Sequence, residues 1–277
     1  MRCLLPDYNH ADFDLLKQSV REAGELAMTF FGNSPQSWSK EDDQLVCEAD
    51  IAVNDFLYEK LMTARPDYGW LSEETADQKS RVARLQKTKC WVIDPIDGTS
   101  AFIKNKAEFA VSAALIDNHQ PILACVFNPA TEEFYAAMTG HGATKNGQFI
   151  SFSGAPKVQD DMHVCVYPPI LSHRAWQKAW HNNWPDVRIG NPKSVAYRLC
   201  LLAEGHFDML IILNTKNDWD IAAGDLIIRE AGAHFTNLEG EKFSYHHKTF
   251  EHPRMIAGHP HALQELGQAI QRFLGAL

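Results

Sequence analysis

The stretch Trp91-Val92-Ile93-Asp94-Pro95-Ile96-Asp97-Gly98-Thr99-Ser100-Ala101-Phe102 is the most informative segment of this chain. An apolar strand runs into two aspartates three residues apart, so both carboxylates and the Ile96 carbonyl can reach one point at the strand end. Oxygen ligands at this density suit a hard cation such as Mg²⁺. Gly98 lets the backbone approach a ligand, and if a helix begins here, the amides of Gly98 and Thr99 point at an anion. The alternative interpretation is an Asx turn with two solvated aspartates.

The composition is that of a globular, acidic chain. Of 277 residues 45% are hydrophobic, and 26 basic against 35 acidic side chains give a net charge of -9, which disfavours nonspecific binding to a nucleic acid backbone. A site for anions on such a protein needs local positive charge, which bound cations would supply. The six cysteines form no CxxC pair, which predicts reduced core residues in a cytoplasmic protein. The chain start lacks an apolar h-region and no apolar run approaches the ~20 residues of a membrane span, so we expect a soluble protein.

Hydrophobic periodicity divides the chain into two parts with different patterns of helices and strands. The first predicts two helices followed by short strands, at residues 12–31 and 50–64 and then at 69–72, 90–93, 109–116, 122–127 and 132–138. The second alternates strands (162–167, 207–213, 255–257) with helices (172–180, 194–204, 219–231, and from 260 onward). We therefore predict an α+β half at residues 1–154, which carries the metal-binding segment, and an α/β half at 155–277. No linker separates them, so we expect one compact body with a soft boundary.

The quoted stretch at residues 91–102 resembles the inositol monophosphatase family, whose signature is D-P-[IL]-D-G-T with a phenylalanine three residues later. Three further segments match in order. They are residues 70–75, with Ser72 in place of the usual glycine, residues 219–224 (W-D-I-A-A-G), and residues 40–50, with Cys47 in place of threonine. A different phosphatase type, the haloacid-dehalogenase-like D-x-D-G-T enzymes, does not fit, because the spacing here is D-x-x-D.

The resemblance implies a mixed α+β and α/β fold, layered αβαβα, with a mostly antiparallel N-terminal sheet, a mixed C-terminal sheet and a homodimer. It implies a lithium-sensitive, Mg²⁺-dependent phosphatase with two or three ions per site. The implied metal ligands are Glu73, Asp94, the Ile96 carbonyl, Asp97 and Asp220. The implied catalytic residues are Glu73, Thr99 and Asp50, with water oriented by the first two. The implied substrate-binding residues are Ile96, Asp97, Gly98, Thr99, Ser194 and Asp220.

Each of these residues also has a purely structural interpretation. Glu73 alone would be solvated surface charge, Asp220 alone a helix N-cap, and Asp50 a cap of the second helix. These interpretations weaken together, because several oxygen ligands are what a divalent cation requires. Without an ion such a cluster would repel itself and raise some carboxyl pKa values.

The resemblance implies a small phosphate ester as substrate, and three functions stay open. Inositol 1-phosphate is the first, because Ile96 and residues 219–225 follow the general inositol phosphatase pattern. Adenosine 3',5'-bisphosphate is the second, since residues 102–104 (F-I-K) and Glu108-Phe109 resemble the 3'(2'),5'-bisphosphate nucleotidase branch. Ala101 favours neither, and Lys193 either pairs a second phosphate or is exposed. The third is a regulatory RNA- or polymerase-associated binding role; nucleic acid is otherwise not expected as a partner, and neither is a membrane.

Two further residue groups receive structural interpretations. Trp176, Trp180 and Trp184 stand at helical spacing, which favours core or dimer packing over a platform for base stacking. The thirteen histidines, His246 and His247 among them, show no metal-ligand spacing and are predicted at the surface.

Overall fold

The computed structural model of the protein describes residues 10–39, 45–75, 78–180 and 186–276. The helices are α1 (His10–Phe30), α2 (Glu48–Ala64), α3 (Gln78–Ala83), α4 (Thr99–Phe102), α5 (Pro169–Ser172), α6 (Arg174–Ala179), α7 (Val195–Ala203), α8 (Asp218–Glu230) and α9 (Pro260–Leu274), with a 3₁₀ turn at Arg84–Gln86. The strands are β1 (Ser37–Ser39), β2 (Leu45–Cys47), β3 (Gly69–Ser72), β4 (Lys89–Asp97), β5 (Ala110–Asp117), β6 (Gln120–Asn128), β7 (Glu133–Met138), β8 (Ala143–Lys145), β9 (Gln148–Ile150), β10 (His163–Cys165), β11 (Arg188–Gly190), β12 (Met209–Ile212), β13 (Lys216–Asn217), β14 (His234–Asn237), β15 (Glu251–His252) and β16 (Met255–Gly258).

Two large sheets organise the molecule. The first has the order β3-β4-β5-β6-β7-β8-β9, and all its neighbours are antiparallel except β3 and β4. The second has the order β11-β10-β12-β16-β14, in which β11, β10 and β12 run parallel and the remaining pairs antiparallel. A mostly antiparallel first sheet and a mixed second sheet are what the sequence analysis predicted, and the fold prediction is confirmed.

Helices cover both faces of both sheets. The strand β4 shows how, because side chains alternate between the two faces of a strand: Trp91 and Ile93 pack with α1 and α2, while Val92 packs with α7, α8 and the second sheet. The outer face of the second sheet packs against α6 and α9 in a third cluster that contains Trp176. The layers therefore run α, β, α, β, α. Because helices lie on both of its sides, β4 reads as an almost continuous apolar run rather than an alternating one.

Several local expectations needed revision. The helix expected at 172–180 is two short helices, since His173 leaves the helical conformation and its side chain accepts a hydrogen bond from the Ala175 amide as the N-cap of α6. His246 was expected at the surface, but it is buried. Its two ring nitrogens have polar partners there, the Arg84 guanidinium at 3.0 Å and the Lys87 carbonyl at 3.0 Å, so the polar ring is accommodated in the interior.

Other expectations concern single side chains. Trp176 and Trp180 lie in the core, and Trp184 falls outside the described residues. The cysteines that the structure describes are buried and form no disulfide with one another; they are Cys47, Cys90, Cys125, Cys165 and Cys200. Within the described part of the chain, no helix combines the length and the apolar character needed to cross a membrane.

Candidate active site

The end of β4 carries the two aspartates of the signature. Its pairing with β5 shifts register between Asp94 and Asp97, so the strand bulges where these two aspartates stand. Gly98 then turns the chain with φ of +97°, a conformation that L side chains rarely adopt. A Cβ there would lie 2.8 Å from the Glu108 carbonyl oxygen, so only glycine fits between this loop and its neighbours. The one-turn helix α4 begins directly afterwards.

The helix α8 brings the third carboxylate from the other half of the chain. One ligand atom from each of Asp94, Asp97 and Asp220 lies within 4.8 Å of the others, and among the described residues this is the group of acidic side chains that could hold a metal ion. Asp220 is the third residue of α8 and forms a capping box with Asn217, whose amide donates to Asp220 Oδ2 at 2.7 Å. Asp220 is thus not the N-cap itself, which is Asn217, but its Oδ2 completes the cap, while Oδ1 lies near Lys216.

Asp97 is held in a similar way by the start of α7. Its Oδ2 accepts hydrogen bonds from the Ser194 hydroxyl at 2.7 Å and from the Ala196 amide at 2.5 Å. Ser194 is fully buried, and its hydroxyl also accepts from the Tyr197 amide at 3.0 Å. Ser194 therefore positions Asp97 in this structure, and a direct contact between Ser194 and substrate stays a prediction.

The electrostatics of the cluster are those of an ion site. Burial, reinforced by the charges of Glu73, Asp97 and Asp220, raises the pKa of Asp94 well above its ordinary value. Burial and the neighbouring Asp220 raise the pKa of Asp97 to about 6, and burial also raises that of Asp220. Asp94 Oδ1 is buried and has no hydrogen-bond partner. A buried carboxylate oxygen without a donor is costly. A divalent cation would supply the missing partner and relieve the repulsion, so the donor set fits a hard metal ion.

Glu73 lies at the end of the neighbouring strand. The strand β3 runs parallel to β4, with Ser72 opposite Ile93, and the Glu73 amide donates to the Ile93 carbonyl at 3.2 Å. Its carboxylate lies outside the group of three just described, yet it is the first charge after burial that raises the pKa of Asp94. The structure thus brings four of the predicted side-chain ligands to one end of the first sheet.

Thr99 and Asp50 form a hydrogen-bonded pair beside the ligands. The Thr99 hydroxyl lies 3.0 Å from Asp50 Oδ1 and 3.1 Å from the carbonyl oxygen of Ile96. Asp50 is the third residue of α2, and its Oδ2 accepts from the Cys47 amide at 2.8 Å in a reciprocal capping box. Asp50 is therefore both a cap of the second helix and a partner of Thr99. Burial raises its pKa to about 6.

Two basic side chains near the cluster were missed by sequence reasoning. Lys216 Nζ lies 3.7 Å from Asp220 Oδ1, and the Arg198 guanidinium is close enough to lower the pKa of that carboxyl. Arg198 Nε is buried without a partner, while Nη2 donates to the Lys193 carbonyl at 3.0 Å. Lys193 itself is exposed. The one signal for Lys216 in the sequence was its place four residues before a predicted ligand.

The comparison with known families decides the classification. The model of the inositol monophosphatase family matches residues 11–275. The chain belongs to the inositol monophosphatase family. Members of this family are phosphatases, so the protein is a phosphatase.

Its relatives carry two different activities in their names. The chain is 32% identical over 265 residues to an inositol-1-monophosphatase of Rhizobium meliloti, covering 94% of this chain and 96% of the relative. It is 31% identical over 238 residues to a 3'(2'),5'-bisphosphate nucleotidase of Escherichia coli, covering 84% and 93%. Among solved structures it is similar to the extragenic suppressor protein suhB of Bartonella henselae, with a TM-score of 0.78, 26% identity, and coverage of 94% of this chain and 98% of that one. The inositol monophosphatase family assignment thus leaves the substrate open between these two activities.

Proposed function

We propose that the enzyme is a Mg²⁺-dependent phosphomonoesterase and that inositol 1-phosphate is its preferred substrate. The observation that carries the proposal is the convergence of Asp94, Asp97 and Asp220 from two halves of the chain on one point within 4.8 Å. With Glu73 and the Ile96 carbonyl they would hold two or three Mg²⁺ ions. Bound Mg²⁺ would lower the pKa of a water molecule and neutralise charge on the phosphoryl oxygens and the leaving alkoxide.

The protein's own groups would orient the attacking water. The Thr99 hydroxyl donates toward Asp50 Oδ1 at 3.0 Å, so the lone pairs of its oxygen remain available to accept from a water. Asp50 is fixed by the Cys47 amide at 2.8 Å and so holds the hydroxyl in one orientation. We assign Thr99 and Glu73 to positioning the water, and Asp50 to positioning Thr99. No protein nucleophile is needed for this displacement.

A second candidate substrate is adenosine 3',5'-bisphosphate. The specific observation in its favour is Arg198, whose Nε is buried without a partner and whose charge reaches Asp220. A guanidinium with an unused donor beside the metal ligands suits a second phosphate. The likeness to the bisphosphate nucleotidase of Escherichia coli supports the same candidate.

The test is a comparison of kcat/KM in the presence of Mg²⁺. The panel is inositol 1-phosphate, adenosine 3',5'-bisphosphate, fructose 1,6-bisphosphate and histidinol phosphate, measured with the wild-type enzyme and with Arg198→Gln. We expect the highest value for inositol 1-phosphate and little change in Arg198→Gln. A preference for the bisphosphate nucleotide that is lost in Arg198→Gln would establish the second candidate. No turnover of any member would contradict the proposal and favour the RNA- or polymerase-associated role.

The proposal extends to the setting in which the enzyme works. The five cysteines that the structure describes are buried and form no disulfide with one another, which supports a reducing, cytoplasmic environment. We also propose a homodimer and inhibition by lithium, both of which follow from the family resemblance. Light scattering of the purified protein tests the first, and turnover in Mg²⁺ with increasing Li⁺ tests the second. A monomer, or activity unchanged by Li⁺ at saturating substrate, would contradict them separately.

A further inference from the structure

A lysine stands against the metal-binding carboxylates. Lys216 lies in β13, immediately before α8, and its Nζ is 3.7 Å from Asp220 Oδ1. Its side chain is 21% exposed, so its charge is only partly screened by water. The lysine also lowers the pKa of Asp97, so its charge reaches both of these ligands.

The backbone of Lys216 is fixed by a built arrangement. In the antiparallel ladder of β13 and β15, Lys216 pairs with His252 and Asn217 with Glu251. The His252 ring then lies 2.7 Å from Asp218 Oδ1, and the Asp218 amide donates to the Phe250 carbonyl at 2.8 Å. The start of α8 is thus tied to the β15 segment at three successive positions, and the lysine stem leaves this frame toward Asp220.

We propose that the Lys216 ammonium neutralises part of the negative charge of Asp97 and Asp220 in the metal-free protein. It thereby competes with the divalent ion that these carboxylates bind. The buried Asp94 and Asp97 and the partly buried Asp220, with ligand atoms within 4.8 Å of one another, repel each other, and an ammonium at 3.7 Å from one oxygen reduces that repulsion. A divalent cation that binds the same oxygen meets a positive charge, so part of its binding free energy is spent on displacing the ammonium.

The flexible stem of lysine makes this exchange possible. Four rotatable bonds let the ammonium move away from Asp220 without a change in the backbone. Lys216 would therefore set the affinity of the site for metal. The inference rests on the proposed metal site but not on the proposed substrate.

The experiment measures metal binding without turnover. Free Mn²⁺ is followed by electron paramagnetic resonance while Mn²⁺ is titrated into the wild type, Lys216→Met, Lys216→Arg and Lys242→Met at about pH 8, where ordinary carboxyls are ionised. We expect Lys216→Met to bind Mn²⁺ about tenfold more tightly or better, because it removes charge and keeps the length of the stem. Lys216→Arg should stay close to the wild type. Lys242 is exposed, and Lys242→Met is the matched control, with no expected change.

Each outcome bears on the proposal in one direction. Equal or weaker Mn²⁺ binding in Lys216→Met would overturn it, as would an equal gain in Lys216→Arg, which would show an effect of shape and not of charge. No Mn²⁺ binding by any of these proteins would overturn both this inference and the metal site. Tighter binding in Lys216→Met together with no turnover of the phosphate panel would support the role of Lys216 and reject the proposed activity. Should Lys216→Met not fold, Lys216→Gln provides the same test.

Discussion

At the scale of single residues, Asp97 combines two roles in one carboxylate. Its Oδ2 is held by the Ser194 hydroxyl and the Ala196 amide, and the carboxylate is also one of the three clustered groups that could hold a metal ion. We expect Asp97→Asn to lower kcat by about 1,000-fold or more, because an amide keeps an acceptor for α7 but binds a divalent cation poorly. The melting temperature of the metal-free protein should not fall. Retained turnover would contradict the assignment of Asp97 as a ligand.

Thr99 offers a finer test of the proposed mechanism. Its hydroxyl bridges toward Asp50 and the Ile96 carbonyl, so removal of the hydroxyl takes away the group that orients water. We expect Thr99→Ala to lower kcat by about 100-fold with little change in KM, a loss typical of a misplaced reacting group. Thr99→Ser is the control, since it keeps the hydroxyl and should retain most of the activity. Steady-state kinetics in saturating Mg²⁺ make the comparison. Equal losses in both variants would assign the effect to the missing methyl group.

At the scale of secondary-structure elements, one helix ties the Glu73 loop to α8. Arg81, in the last turn of α3, donates through Nε to the Thr75 carbonyl at 2.7 Å. Its guanidinium also lies 5.8 Å from the ring centroid of Trp219 and 5.2 Å from that of Phe250. Trp219 precedes Asp220, so Arg81 connects the segment that follows Glu73 to the start of α8.

Loss of this tie should affect catalysis more than stability. We expect Arg81→Gln to lower kcat/KM by about tenfold, because the Glu73 loop is no longer held against α8. The free energy of unfolding should fall by only about 1 kcal/mol. The matched control is Val82→Ala on the same helix, where the side chain is 50% exposed and no effect is expected. Activity assays and thermal unfolding are measured side by side. A drop in stability without a drop in activity would make Arg81 a purely structural residue.

The same scale shows which elements the sequence could predict. The apolar run of β4 and the periodic face of α1 were recognisable because burial fixes their pattern. The pairs β1 with β2 and β13 with β15 were not predicted, since strands of two or three residues are too short to show a period. The β13 and β15 pair moreover joins segments that are far apart in the chain, which no local pattern records.

The candidate site divides along the same line. Asp94 and Asp97 were predictable from the bare chemistry, because three residues on one strand end bring both carboxylates together. Asp220 required the family resemblance, as it comes from a helix more than a hundred residues away. Lys216 stands four residues before Asp220, which was a signal in the sequence, whereas the position of Arg198 depends on α7 and had none.

At the scale of the whole molecule, the site lies where the two halves of the chain meet. Asp94 and Asp97 come from the first sheet, Asp220 from α8, and α7 contributes the bonds that hold Asp97. The repulsion among these carboxylates therefore acts between segments that are far apart in the chain. Metal binding should stabilise the entire fold, since the ion binds only the assembled arrangement.

The pH dependence of that stabilisation follows from the direction of the pKa shifts. Burial raises the pKa of Asp97 and Asp50 to about 6, and that of Asp94 well above its ordinary value. A raised carboxyl pKa means that the folded protein favours the protonated form. Each protonated carboxyl therefore adds to the stability of the folded protein. This contribution is fully present below pH 3.8, the unfolded-state pKa, and is lost as the pH rises through the folded-state pKa. Each unit of upward shift corresponds to about 1.4 kcal/mol lost on ionisation.

Mg²⁺ should recover this loss, because it binds the ionised carboxylates and competes with their protons. We expect the difference in melting temperature between Mg²⁺ and EDTA to be small at about pH 5.5 and to grow steadily toward about pH 7.5. His246 acts in the opposite direction, because its lowered pKa makes the protein less stable as the pH falls below 6.5. This effect is the same with Mg²⁺ and with EDTA, so it cancels in the difference between the two melting temperatures. Asp97→Asn should reduce the difference at the higher pH. A difference that is independent of pH, or equal in Asp97→Asn, would mean that Mg²⁺ acts somewhere other than these carboxylates.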